Sequence, residues 1–197
     1  MDPRRFAFLE SETGRASLRW LAVATSTAAV VCAAIVAVTL TGNPAPVPMA
    51  VAVLAIPILV AGQLATIAIV TRRSTDAERG SGASLALLRR RVFGDLPVLA
   101  VAVVAVCFYG AIILVMVSFA SGMSGQPVEH DGGCRYGADD HGTITCLSED
   151  EFDSARADWQ RLFAGVPFAF FAVHTGVITS EIRSRRRGLA PEPPPRG

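Results

Sequence analysis

The chain has 197 residues, 51% of them apolar, and a mean hydropathy of +0.44. Its 18 basic residues, all Arg, nearly balance 17 acids, so there is no basic surplus of the kind that marks a nucleic-acid binder. The apolar residues are gathered into long uncharged blocks, which argues against one soluble domain, and no block alternates apolar and polar side chains as the strands of a membrane barrel do.

In chain order, a charged segment 1–19 leads into the first uncharged run, 20–41 (WLAVATSTAAVVCAAIVAVTLT). Further runs follow at 47–71, 96–120 and 162–180. A helix needs about 20 apolar residues to cross the hydrocarbon, so the expectation is four transmembrane helices. The first run exceeds the roughly 7–15 apolar residues of a signal peptide and is expected to be retained. The link 42–46 (GNPAP) is short and uncharged, and Pro57 and Pro167 predict kinks in the second and fourth spans.

The charges set an orientation. Segments 1–19, 72–95 and 181–197 together carry 15 Arg against 8 acids, whereas 121–161 carries 3 Arg against nine acids. Positive charge near helix ends stays in the cytoplasm. Both termini and the loop 72–95 are therefore expected inside, and the acidic loop 121–161 outside, in the plasma membrane of a bacterium. Within 72–95, the stretch Ser84–Arg91 reads as an interfacial turn meeting anionic headgroups. The tail after 180, with Arg185, Arg186 and Arg187 before PEPPPRG, reads as disordered with polyproline II character.

The outer loop reads as a small structure. Tyr136 and Thr143–Cys146 flank a Gly/Asp-rich stretch that includes Asp139, Asp140 and His141, the pattern of a hairpin. Outside the cytoplasm, Cys134 and Cys146 are expected to form a disulfide stapling it. Ser148 with Glu151 is a capping box. Phe152, Ala155, Trp159 and Leu162 then recur at helical spacing, so an amphipathic helix is expected to begin near 149 and run into the last span. Trp159 would lie in the outer headgroup layer. The fold class is thus an all-α membrane protein, four transmembrane helices with a small disulfide-stapled hairpin before the last.

Tyr136, His141-Gly142, the Ser148-x-x-Glu151-Phe152 start and Arg161-x-Phe163 resemble a pattern in small uncharacterised integral membrane proteins of actinobacteria. The resemblance covers about 30 residues and implies a location, with no activity or cofactor attached.

These residues offer three chemistries. The acids, His130, His141 and the cysteines of the outer loop match no compact zinc spacing, so no metal is expected, and Asp139, Asp140 and His141 are read as turn residues. The outline is similar to that of four-helix disulfide-generating membrane proteins. Those need a second cysteine pair in the first outer loop, which Gly42–Pro46 lacks, while Cys32 and Cys107 lie inside spans. Within the membrane, Thr27, Gln63 and His174 stand eight or nine residues from the inner arginines, hence at similar depth. A polar cluster is expected there, as interhelical glue or as a site.

No phosphate-binding glycine loop, nucleophile elbow or HExxH motif is present, and no cofactor is expected. The leading expectation is a non-enzymatic membrane protein whose outer loop caps the bundle or docks a membrane or envelope partner. The alternatives are transport or sensing of an ion or small molecule around His174 and Gln63, and thiol-disulfide exchange.

Overall fold

The computed structural model describes residues 12–47, 50–77, 92–94, 96–120, 125–129 and 134–188, with side chains throughout except at 50–54, 74–77 and 188. Its elements are α1 (Glu12–Thr39), α2 (Ala50–Ala77), α3 (Val98–Ala120), β1 (Gln126–Glu129), β2 (Tyr136–Asp140), β3 (Thr143–Cys146) and α4 (Glu149–Gly188). All four helices are long and apolar enough to cross a membrane. The helices continue through Pro57 and Pro167.

The 40-residue α4 is the axis of the molecule. It packs against α1, α2 and α3 in turn; α1 and α2 also touch each other, while α3 leans chiefly on α4. Its own residues make this possible. Gly165 lies so close to α3 that a Cβ would meet the Val115 side chain at 2.8 Å, and one at Gly176 would meet Val104 at 3.2 Å. These two glycines are 11 residues apart, about three turns, and so share a face. Small residues at such positions let helix backbones approach closely, the chief source of attraction between apolar helices.

On α1 the buried residues after Gly14 are Leu18, Thr25, Cys32 and Thr39, each seven after the last. A strict seven-residue seam keeps one side of a helix against its neighbour, as in left-handed helix pairs. Two apolar clusters fill the interior. One gathers Leu18, Ile69, Val177 and Ile178; the other gathers Cys32, Ala164 and Phe171, with Ala28, Ala29 and Leu59 packed against it.

The expected two-stranded hairpin is a three-stranded antiparallel sheet in the order β1-β2-β3. The strand β1 was not foreseen, because QPVE is short and contains Pro127, and its pairing of Gln126 with Asp139 joins distant residues. The turn is also tighter than expected. Strand β2 continues to Asp140, which pairs with Thr143, leaving only His141 and Gly142 as the loop, at φ 52° and 93°. Positive φ at both central residues matches the right-handed twist of the strands, as in a type I′ turn.

The tail differs from expectation as well. The helix carries Arg185, Arg186 and Arg187 in its last turn, where positive charge suits the helix dipole. Residues 189–197 and the stretch 84–91 lie outside the described residues.

Candidate functional site

Three groupings of polar residues sit along α4. At its N-terminal end stands the sheet. Cys134 and Cys146 form a disulfide with their Cα atoms 5.7 Å apart. Tyr136 stacks on Phe152 with ring centroids 4.8 Å apart, and Arg135 lies over the Tyr136 ring. Asp139 accepts a hydrogen bond from the Gly142 amide at 2.7 Å, closing the turn. Asp140 and His141 point into the open, 3.9 Å apart. Among the described residues no three His, Cys, Asp or Glu side chains gather to hold a metal; His130 and Asp131 lie outside them.

The expected helix start is in place. The Glu151 amide donates to the Ser148 hydroxyl, and the Ser148 amide and hydroxyl both donate to the Glu151 carboxylate at 2.8 Å. The backbone bond from Ser148, then its hydroxyl, hold the Glu151 carboxyl below its ordinary range.

Rather more than two turns further on, three side chains fasten the sheet end to the bundle. The Trp159 indole N–H donates to the Gly125 carbonyl at 2.8 Å, and its ring stacks on Phe163. Gln160 holds both polar groups of the Ala45 backbone, accepting at 2.6 Å and donating at 3.0 Å. Arg161 donates through Nε and Nη2 to the Thr39 carbonyl at the end of α1, and pairs with Asp158 at 2.5 Å. A cation on the last carbonyls of a helix satisfies an orphan acceptor and complements the dipole. Trp159 was expected only as an interfacial ring; its indole N–H bond to Gly125 was not legible in the sequence.

About two-thirds of the way along α4, His174 is 1% exposed and its Nε2 lies 2.8 Å from Gln63 Oε1. With an amide oxygen as partner, Nε2 is the donor, which leaves Nδ1 as a buried acceptor without a hydrogen bond. That nitrogen faces α2, where a Cβ on Gly62 would come within 2.6 Å of it. The expected third member is absent. Thr27 is exposed, and Thr25 is the buried residue, accepting from Thr175 at 3.1 Å. Equal depth does not mean equal direction: two residues turn a helix by about 200°, so Thr25 and Thr27 cannot both face α4.

The third grouping was missed by sequence reasoning. At the far end of α4, Glu181 is 1% exposed. Its carboxylate takes Arg72 at 2.5 Å, Arg73 at 2.9 Å and Arg185 at 2.8 Å. Arg73 reaches on to the Ser180 hydroxyl and the Val92 carbonyl. Burial alone would raise the Glu181 carboxyl; the hydrogen bond from Arg185 and the charges of Arg72, Arg73 and Arg185 overturn this and hold it low. A signal existed. Glu181 directly follows an uncharged run and has Arg185 one turn on, an i,i+4 pair of the favourable order.

The grouping ties α2 and α4 through charge, whereas the sheet end ties α4 to backbone atoms. The free thiols, Cys32 buried and Cys107 half-buried, belong to neither. No family model matches the chain, and no curated protein or solved structure is detectably similar to it.

Proposed function

We propose that the protein is a non-enzymatic integral membrane protein of a bacterial plasma membrane. Both termini are cytoplasmic, and the three-stranded sheet stands outside as a docking surface. The broad apolar exteriors of the helices support insertion: Leu99 is 76% exposed and Val106 72%, and such contiguous apolar surface is stable in lipid rather than in water. The arginines concentrated at the Glu181 end support the orientation.

The observation that carries the docking role is the edge strand β3. All four of its residues are exposed, and among the described residues no strand pairs with its outer edge, the arrangement that invites pairing with another chain. Yet it belongs to a sheet held by the disulfide and by Trp159. A partner segment that adds itself as a strand there would gain backbone hydrogen bonds, and the net acidic loop favours a basic one.

A photo-crosslinking residue at Ile144 tests this in intact cells, with one at Ser154 on α4 as the control site. Crosslinks to one envelope or membrane protein from position 144, absent from 154 and lost in C134S/C146S, are expected. Equal labelling from both positions would sink the docking role. An impermeant maleimide that reaches Cys134 and Cys146 only after reduction, in unbroken cells, checks the orientation.

The competing reading, ion or small-molecule handling at His174 and Gln63, draws on the unpartnered Nδ1. The Gly62 backbone packs against that nitrogen, which favours a register-setting contact between α2 and α4 instead.

A further inference from the structure

At the end of the molecule opposite the sheet, α1 and α4 part to leave a cavity of about 360 Å³. Arg15, Arg19, Arg185 and Arg186 line it, with Glu12, Leu18 and Ile182. The arginines are not equally committed. Arg185 is bound to Glu181, and Arg15 stands 3.9 Å from Glu12, whose side chain is 96% exposed. Arg19 and Arg186 have no acidic partner among the described residues. The lining therefore holds four positive charges against one negative, and Leu18, itself buried in the core, supplies an apolar wall with Ile182.

The position of the cavity says what kind of anion it suits. Arg19 is followed by Trp20, 74% exposed at the start of the apolar run, where an indole marks the headgroup layer. On α4 the uncharged run ends at Ser180, just before Ile182 and Arg185. A ligand here would have its charged group among guanidiniums and its apolar part against Leu18, Ile182 and the hydrocarbon. Guanidinium forks match phosphate oxygens in pairs, and basic pockets between helices on the cytoplasmic side are suited to anionic headgroups.

We propose that this cavity is a binding site for the phosphate of an anionic phospholipid from the cytoplasmic leaflet, clamped between α1 and α4 by Arg19 and Arg186, with Arg15 completing the cradle. The leaflet assignment rests on the orientation proposed above; the site itself rests on the cavity and its charges.

Native mass spectrometry of the full-length protein in neutral detergent, titrated with phosphatidylglycerol, tests it. One bound lipid is expected to survive, and phosphatidylcholine is expected to bind far less. The R19Q/R186Q variant should bind phosphatidylglycerol about thirtyfold more weakly, the ordinary worth of two basic side chains beside anionic headgroups. R183Q, an exposed arginine outside the lining, should bind as the parent does. Oxidised Cys134 and Cys146 and an unchanged helical circular dichroism spectrum check that each variant is folded.

Unchanged binding by R19Q/R186Q, or an equal loss in R183Q, would overturn the site in favour of diffuse attraction. Displacement of the lipid by glycerol phosphate at equal concentration would overturn the lipid and assign the cavity to a soluble phosphate ester. Detergent exposes both ends of the protein, so failure here leaves the outward placement of the sheet to be read separately by the maleimide label.

Discussion

The two ends of α4 are fastened by different physics. At the sheet end the anchors are distributed: Trp159 to Gly125, Gln160 to Ala45, Arg161 to Thr39, each on a backbone group. At the other end one carboxylate, Glu181, gathers three guanidiniums. Distributed anchors fail one at a time. A shared carboxylate fails all at once, because removing it leaves three cations crowded together, each with less than a third of its side chain in water. Breaking a buried ion pair from one side is costly for that reason, whatever the net worth of the pair.

The largest expected effect is therefore at Glu181. Glu181→Gln should destabilise the protein by about 3–5 kcal/mol, as in other broken buried pairs, read as a fall in thermal midpoint in detergent. The same carboxylate gives a pH dependence. Its folded value lies below its unfolded one, so its contribution is complete above the ordinary carboxylate range. As pH falls through that range the unfolded chain takes up the proton first, and stability is lost until the folded carboxyl protonates too. The Gln variant should lack that part of the acid slope; an unaltered slope would show that Glu181 is not the group responsible.

Next comes the staple. Opening the Cys134–Cys146 bridge, which spans 12 positions, should cost the sheet about 3 kcal/mol in the chain-entropy account. Limited proteolysis should then cut within 134–146 while the helices stay intact. Arg161→Ala should cost about 2 kcal/mol, in the range for a hydrogen bond to a charged group, and loosen the junction between α1 and α4 without touching the Glu181 end. If Arg161→Ala proved worse than Glu181→Gln, the contrast between distributed and shared anchoring would be wrong.

The smallest effect discriminates best. Thr25→Val should cost about 1 kcal/mol through the lost bond to Thr175, and Thr27→Val nothing measurable. Equal costs would mean that α1 is rotated from the orientation described above.

Thr25 and Thr27 also illustrate how far the sequence could be read. In a soluble helix the polar face identifies the core by contrast. In these runs lipid-facing and helix-facing positions are equally apolar, so depth was legible and direction was not. His174 with Gln63 was found because each is the one strong hydrogen-bonding side chain in its run. Depth alone favours Thr27, eight residues from Arg19, over Thr25, six residues from it, and depth carries no information on which of the two faces α4. Glu181 was counted among the charges of the tail rather than read as a buried centre, because its partners Arg72 and Arg73 lie more than 100 residues away.

What the amino-acid sequence determined by itself is what depends on neighbours along the chain. The four apolar helices follow from runs of uncharged residues, the start of α4 from Ser148 and Glu151, and the existence of a hairpin, though not its two-residue turn, from the Gly/Asp-rich stretch between Tyr136 and Thr143. The disulfide followed from there being two cysteines outside the apolar runs. Only the tertiary structure decided that α4 is the axis, that β1 completes a sheet, that Thr25 faces inward, and that Arg15, Arg19, Arg185 and Arg186 line one cavity. Each of these depends on which surfaces of distant segments meet. Between apolar helices that choice is made by close packing at residues such as Gly165 and Gly176, and hydropathy does not record it.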